Sequence, residues 1–138
     1  MTGVQSTPTS FQWVRHDGGR ASSKRPKQKN DCTVRALALA RGLSYDTAYD
    51  VLRAAGRQCN GRFQLGDWLD QQTWATRISF PAVKGQSRMT PGAFVQQFPR
   101  GRYICRVAKH CFAVVNGIVL DDTPVPTGRC IYVAWAVA

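Results

Sequence analysis

From Arg102 onward the chain reads as strands, and one turn among them restricts the fold more than any other feature of the sequence. RYICRV (102–107), HCFAVV (110–115), IVLD (118–121) and CIYVAWAV (130–137) are rich in β-branched and aromatic residues. Asn116-Gly117 separates the second from the third, and this residue pair suits a two-residue hairpin because both of its positions tolerate positive φ. Such a turn pairs Val115 with Ile118, which sets Phe112 opposite Asp121 and His110 opposite Thr123. Faces alternate along a strand, so His110 and Asp121 lie diagonally on one face and Asp122, opposite Cys111, points to the other. A four-residue loop keeps this pairing, and only an odd loop length exchanges the two acids.

Before Arg102 the apolar residues recur at helical spacing. NDCTVRALALARG opens a helix that Asn30 or Asp31 can cap and Gly42 stops, with Val34, Leu37, Ala38 and Ala40 on its buried face. YDTAYDVLRAAGR predicts a second, capped by Ser44 or Asp46, with Ala48, Val51, Leu52 and Ala55 inward. A loop over 56–62 leads to a short third helix over 65–72, and Thr90 followed by Pro91 opens a fourth that runs to Phe98. Trp68 and Trp74 are expected as core anchors. Helices first and an antiparallel sheet last make an α+β chain, and 138 residues suit one domain.

The N-terminal stretch differs in character. Residues 1–9 read as a tail, FQWVR (11–15) as a short strand and DGG (17–19) as a turn. Arg15, Arg20, Lys24, Arg25, Lys27 and Lys29 then cluster in a chain whose net charge is +11. A flexible basic segment over 1–29 ahead of a domain over 30–138 is the expected organisation. The charge admits two uses, a solubilising lead-in or an arm that binds nucleic acid through those six residues. The polar start MTGVQSTPTS carries no secretory core, and no run of 18 apolar residues exists to cross a bilayer. A cytoplasmic protein without membrane contact is the expectation. Five cysteines, an odd number without a CxxC pair, suit reduced thiols rather than a disulfide framework or a zinc site, so no metal and no cofactor are expected.

Cys32 falls in the first turn of the first helix. Unpaired amides and the positive end of the dipole stabilise an anion there and draw a thiol below its ordinary pKa of ~8.5. Asp31 opposes this unless its carboxylate turns away. A nucleophilic cysteine needs a base and the base needs an orienting acid. His110 at the start of a strand and Asp121 on its face supply them, and the Cys32 amide is an oxyanion donor. Cys111, alternating away from His110, is expected in the core with Cys105 and Cys130, whereas Cys59 lies in a polar loop. Arg35, one turn after Cys32, is expected in an ion pair.

These stretches resemble the papain-like cysteine peptidase superfamily, in particular its small members such as bacteriocin-processing peptidases. More closely, DGGR (17–20), NDCTVRALALARGLSYDTAYDVL (30–52), GRYICRVAKHCFAVVNGIVLD (101–121) and GRCIYVAW (128–135) resemble a set of small uncharacterised papain-fold proteins of bacteria and their phages. The resemblance covers well over half of the chain. It implies a papain-like fold, a nucleophile-bearing helix packed on a C-terminal antiparallel sheet, and a Cys32, His110, Asp121 triad. The implied activity is hydrolysis, or acyl transfer, at a peptide, isopeptide or amide bond of a peptide or protein substrate. Gln28, four residues before the nucleophile, stands nearest to the place of the family's oxyanion glutamine, and Asn30 stands where the set has glycine. The alternative is a basic phage or bacterial protein that keeps the fold without turnover and binds nucleic acid or an acidic host protein, in the host cytoplasm if phage-encoded.

Overall fold

The Asn116-Gly117 turn closes as its sequence requires. In the computed structural model, which describes residues 10–59 and 62–138, Val115 pairs with Ile118 and Ala113 with Leu120. The two turn residues have φ of +48° and +77°. The strands that flank it are β4 (His110–Val115) and β5 (Ile118–Asp121). β3 (Arg102–Val107) joins β4 through a second two-residue turn in which Lys109 takes φ +58°. β6 (Val133–Val137) pairs antiparallel with β3 and begins three residues later than the strand expected from Cys130.

The chain is a mixed α+β protein with four α-helices and one six-stranded sheet in the order β1-β5-β4-β3-β6-β2. Two of those strands correct the expectation of a purely C-terminal antiparallel sheet. β1 (Gln12–Arg15) lies parallel to β5, and β2 (Ala75–Ser79) forms the opposite edge against β6. β2 escapes a reading by alternation because it is an edge strand whose residues are half-buried or exposed, so it has no apolar face of period two.

The helices follow their caps. α1 (Cys32–Arg41) stops at Gly42, whose φ of +68° lets the Leu43 amide bond back to Ala38 O at 2.9 Å. α2 (Tyr45–Ala54) starts where Ser44 Oγ accepts the Thr47 amide, and α4 (Pro91–Gln97) where Thr90 Oγ1 accepts that of Ala93. α3 (Leu65–Asp70) is a single short helix. The buried face of α2 consists of Tyr45, Ala48 and Leu52, not Val51 or Ala55, which are exposed. Trp68 and Trp74 pack edge to face, partly buried against the core.

Both faces of the sheet are covered. Cys111, Ala113, Ile104 and Trp135 pack under α1, α2 and α3 with Val34, Leu37, Leu52 and Leu69. Phe112, Val114, Cys105 and Val119 pack on the other side with Phe94 of α4. Burial on both sides explains why HCFAVV reads as a continuous apolar run rather than an alternation. No helix among the described residues is long and apolar enough to cross a membrane.

The segment before Asn30 corrects the expected domain boundary. Residues 11–29 join the fold instead of forming a flexible lead-in, through β1 and through the turn at DGGR. There the Asp17 carboxylate accepts the Gly19 and Ala21 amides, and Gly18 takes φ +72° with its α-carbon against α1. A Cβ at Gly18 would lie 3.2 Å from Arg35 Cα, a backbone atom that cannot step aside. Gly18→Ala is therefore expected to lower stability by about 1 kcal/mol or more, measured by thermal or denaturant unfolding. Further along, Arg25 binds Asp46 at 2.7 Å and Asp50 at 3.1 Å and stacks 3.8 Å over the Tyr49 ring, which ties the segment to α2. The expected tail over 1–9 lies outside the described residues.

Candidate active site

Cys32 is the first residue of α1, and the first helical bond is from the Arg35 amide to Asp31 O, 2.9 Å. The amides of Cys32 and Thr33 have no acceptor among the described residues and stand at the positive end of the helix. The half-buried thiol has its pKa lowered to about 4. The chief cause is a hydrogen bond from the Cys111 thiol, followed by one from His110, against the opposing effect of burial.

Cys111 is a neighbour of Cys32 that the sequence reading missed. It does alternate away from His110, as expected, but the face it alternates onto is the one under α1, which brings it against Cys32. Its own pKa is pushed well up, first by the Cys32 bond and then by burial, so it remains a protonated donor. Cys111→Ala is expected to raise the midpoint of the pH–rate profile of Cys32 alkylation while the fold persists, and an unmoved midpoint would remove Cys111 from the site's electrostatics.

His110 opens β4 and Asp121 ends β5. His110 Nε2 and Asp121 Oδ2 are 2.5 Å apart, the diagonal pairing that the hairpin register requires. With Nε2 so engaged, the other ring nitrogen is the one left for Cys32. The pKa of His110 is raised to about 9, first by the Asp121 bond and then by the Cys32 bond. Asp121 is 2% exposed and fixed on every side. Its Oδ1 accepts from Arg35 Nη2 at 3.3 Å and from the Asp122 amide at 2.8 Å, and its carbonyl accepts from Trp13 Nε1 and the His16 amide, both at 3.1 Å. Asp122 turns the other way, to Arg20 at 2.8 Å and Arg15 at 3.6 Å.

Asp31 does not cap α1 with its side chain. The carboxylate is 1% exposed and is taken up by Arg35, by Arg20 at 3.1 Å and by the Tyr45 hydroxyl, which donates at 2.8 Å. Its negative charge is thereby balanced away from the thiol. Arg35 forms the expected ion pair, in fact two, joining Asp31, the acid before Cys32, to Asp121, the acid behind His110. Arg20 closes the frame from Asp31 to Asp122. The available signal for this frame was DGGR, whose turn delivers Arg20.

Other expected site residues fall elsewhere. Gln28 does not line the cavity beside Cys32, and its Nε2 donates to Lys29 O at 3.1 Å, so its place as oxyanion donor is corrected. Asn30 does line the cavity, in the φ +53° conformation that glycine accepts most easily and asparagine next. Of the six residues of the basic arm, Arg20 and Arg25 are consumed in ion pairs, Arg15 makes an exposed contact to Asp122, and Lys24, Lys27 and Lys29 have exposed side chains. Cys105 is buried, Cys130 half-buried, and Cys59 exposed at the cavity wall. The cavity itself measures about 660 Å³ and is bounded by the start of α1, the loop before α3, β3 and the His110 end of β4. No cluster of three or more His, Cys, Asp or Glu suited to a metal ion occurs among the described residues. Comparison with protein-family models, curated proteins and solved structures finds no match to this chain.

Proposed function

We propose that the chain is a papain-like thiol hydrolase that cleaves a peptide, isopeptide or related amide bond. One observation carries this reading: a cysteine whose pKa is lowered to about 4 faces a histidine whose pKa is raised to about 9, and a buried aspartate holds that histidine. Between those values the pair rests as thiolate and imidazolium. A nucleophile on a helix start, packed on a sheet that offers histidine and aspartate on adjacent strands, supports the papain-like assignment.

In the reaction, Cys32 Sγ forms a bond to the carbonyl carbon and the carbonyl electron pair moves onto oxygen. The free amides at the start of α1 face that oxyanion. His110 gives its proton to the departing amine as the C–N bond breaks, which leaves a thioester on Cys32. Neutral His110 then takes a proton from water, whose oxygen attacks the thioester and releases acid and thiolate. An amine in place of water makes the same chemistry an acyl transfer. Asp121 keeps the ring in one tautomer and orientation throughout.

The test is the pH dependence of kcat/KM on a fluorogenic peptide amide. Below about pH 4 the nucleophile is protonated, and above about pH 9 His110 loses the proton that the amine needs. A bell between those limits is expected, with a thioester on Cys32 detectable by mass spectrometry after acid quench. Turnover that survives Cys32→Ala would sink the proposal.

A further inference from the structure

Four cations line the cavity beside Cys32 and take no part in the chemistry above: Arg57, Arg62, Arg106 and Lys109. They arrive from three directions, Arg57 and Arg62 from the loop between α2 and α3, Arg106 from β3, and Lys109 from the turn into His110. None makes an ion pair among the described residues. All eight acids of the chain are aspartates. Asp31 is the only one on the cavity wall, and it is already held by Arg20, Arg35 and Tyr45.

Arg57 is the decisive member. It is 5% exposed, donates from Nη2 to Asn30 O at 2.9 Å and lies 5.5 Å from the Tyr49 ring, yet has no carboxylate partner among the described residues. A guanidinium cannot shed its proton, and a buried charge without a counter-ion is costly, so this one is built to receive an anion. The cations are not required by the thiolate, whose pKa is lowered by Cys111 and His110. Beside them the Thr33 hydroxyl, next to Cys32 in sequence, is buried on the same wall without a partner.

We infer that this cavity selects an acyl substrate carrying the carboxylate of an acidic side chain close to the bond attacked. The inference rests on the thiol-hydrolase reading for the chemistry, and adds the substrate class. A concave volume of about 660 Å³ fits a few residues of peptide, not a nucleic-acid helix. Charge-assisted hydrogen bonds from arginine to a carboxylate make that preference worth about tenfold to a hundredfold in affinity.

The test is fluorescence anisotropy on the Cys32→Ala protein with two fluorescein-labelled hexapeptides that differ only in Glu-Glu against Gln-Gln. The acidic peptide is expected to bind at least about tenfold more tightly. Arg57→Gln and the exposed Arg106→Gln should each erase most of that advantage, and the control Arg53→Gln, on the exposed side of α2, should keep it. Equal affinity for the two peptides overturns the inference. So does a short single-stranded oligonucleotide that binds more tightly than the acidic peptide and loses its affinity in Arg106→Gln, since the cavity would then be a nucleic-acid site. Labelling of the wild-type thiol separates the two claims. Selective acidic binding with an inert Cys32 would end the hydrolase reading alone, and a reactive Cys32 without charge preference would end this inference alone.

Discussion

Replacing His110 by alanine is expected to move the midpoint of Cys32 alkylation by iodoacetamide upward by ~2 pH units or more and to cut the thiolate population at pH 5 about tenfold. The wild-type thiol, with a pKa near 4, is almost wholly thiolate at that pH. Without the imidazolium it loses both a hydrogen bond and a positive charge, and Cys111, the Arg35 charge and the helix start are left to favour the anion. The thiolate fraction then collapses. Part of the loss returns, because a more basic thiolate is intrinsically more nucleophilic, with a Brønsted slope of ~0.4–0.5, and this is why the rate falls less than the thiolate population. The midpoint carries no such compensation and is the cleaner readout. Cys59, an exposed free thiol, supplies the internal reference. Equal labelling of Cys32 and Cys59 in the wild-type protein, or an unmoved midpoint in the variant, would show that the pair is structural.

Much of this site was legible in the sequence where the signal was local. A two-residue turn fixes register, so Asn116-Gly117 alone places Asp121 and not Asp122 beside His110. Gly42 marks the end of α1 and Ser44 the start of α2 because caps act within a few residues. What escaped is held by contacts distant in sequence. The parallel pairing of β1 with β5 joins residues more than a hundred positions apart, and no local pattern announces it. The same holds for Arg20, which reads as one more charge in a basic run until Asp31 and Asp122 are seen around it. Cys111 was misjudged for a subtler reason. Alternation correctly sets it on the face opposite His110, but which face α1 covers is decided by the packing of the whole sheet. Burial of Cys111 and contact with Cys32 are one fact, not alternatives.

The two adjacent aspartates give the sharpest kinetic contrast. Asp121→Asn is expected to lower kcat on an amide substrate by up to about ten-thousandfold, the size of the effect when the aspartate of a catalytic triad becomes an amide. The amide that replaces Oδ2 offers His110 Nε2 either an N–H, which favours the wrong tautomer, or a weaker acceptor, and in both cases the imidazolium loses its main support. Arg35 also loses one of its two carboxylates, so some stability goes with it. Asp122→Asn changes different bonds. Its carboxylate is partly exposed and meets Arg20 and Arg15 on the outer side of the frame, where an ion pair is worth about 0–1 kcal/mol. A fall in kcat of no more than about tenfold is expected there, with a comparable small loss in thermal stability. Measuring unfolding alongside kcat distinguishes the cases, because a purely structural role for Asp121 lowers stability without altering the alkaline limb of the pH profile. Loss of the Asp121 carboxylate should shift that limb to lower pH, since the carboxylate bond is the chief cause of the raised pKa of His110. Equal effects of the two substitutions on kcat, or an unshifted alkaline limb in Asp121→Asn, would take Asp121 out of the catalytic set.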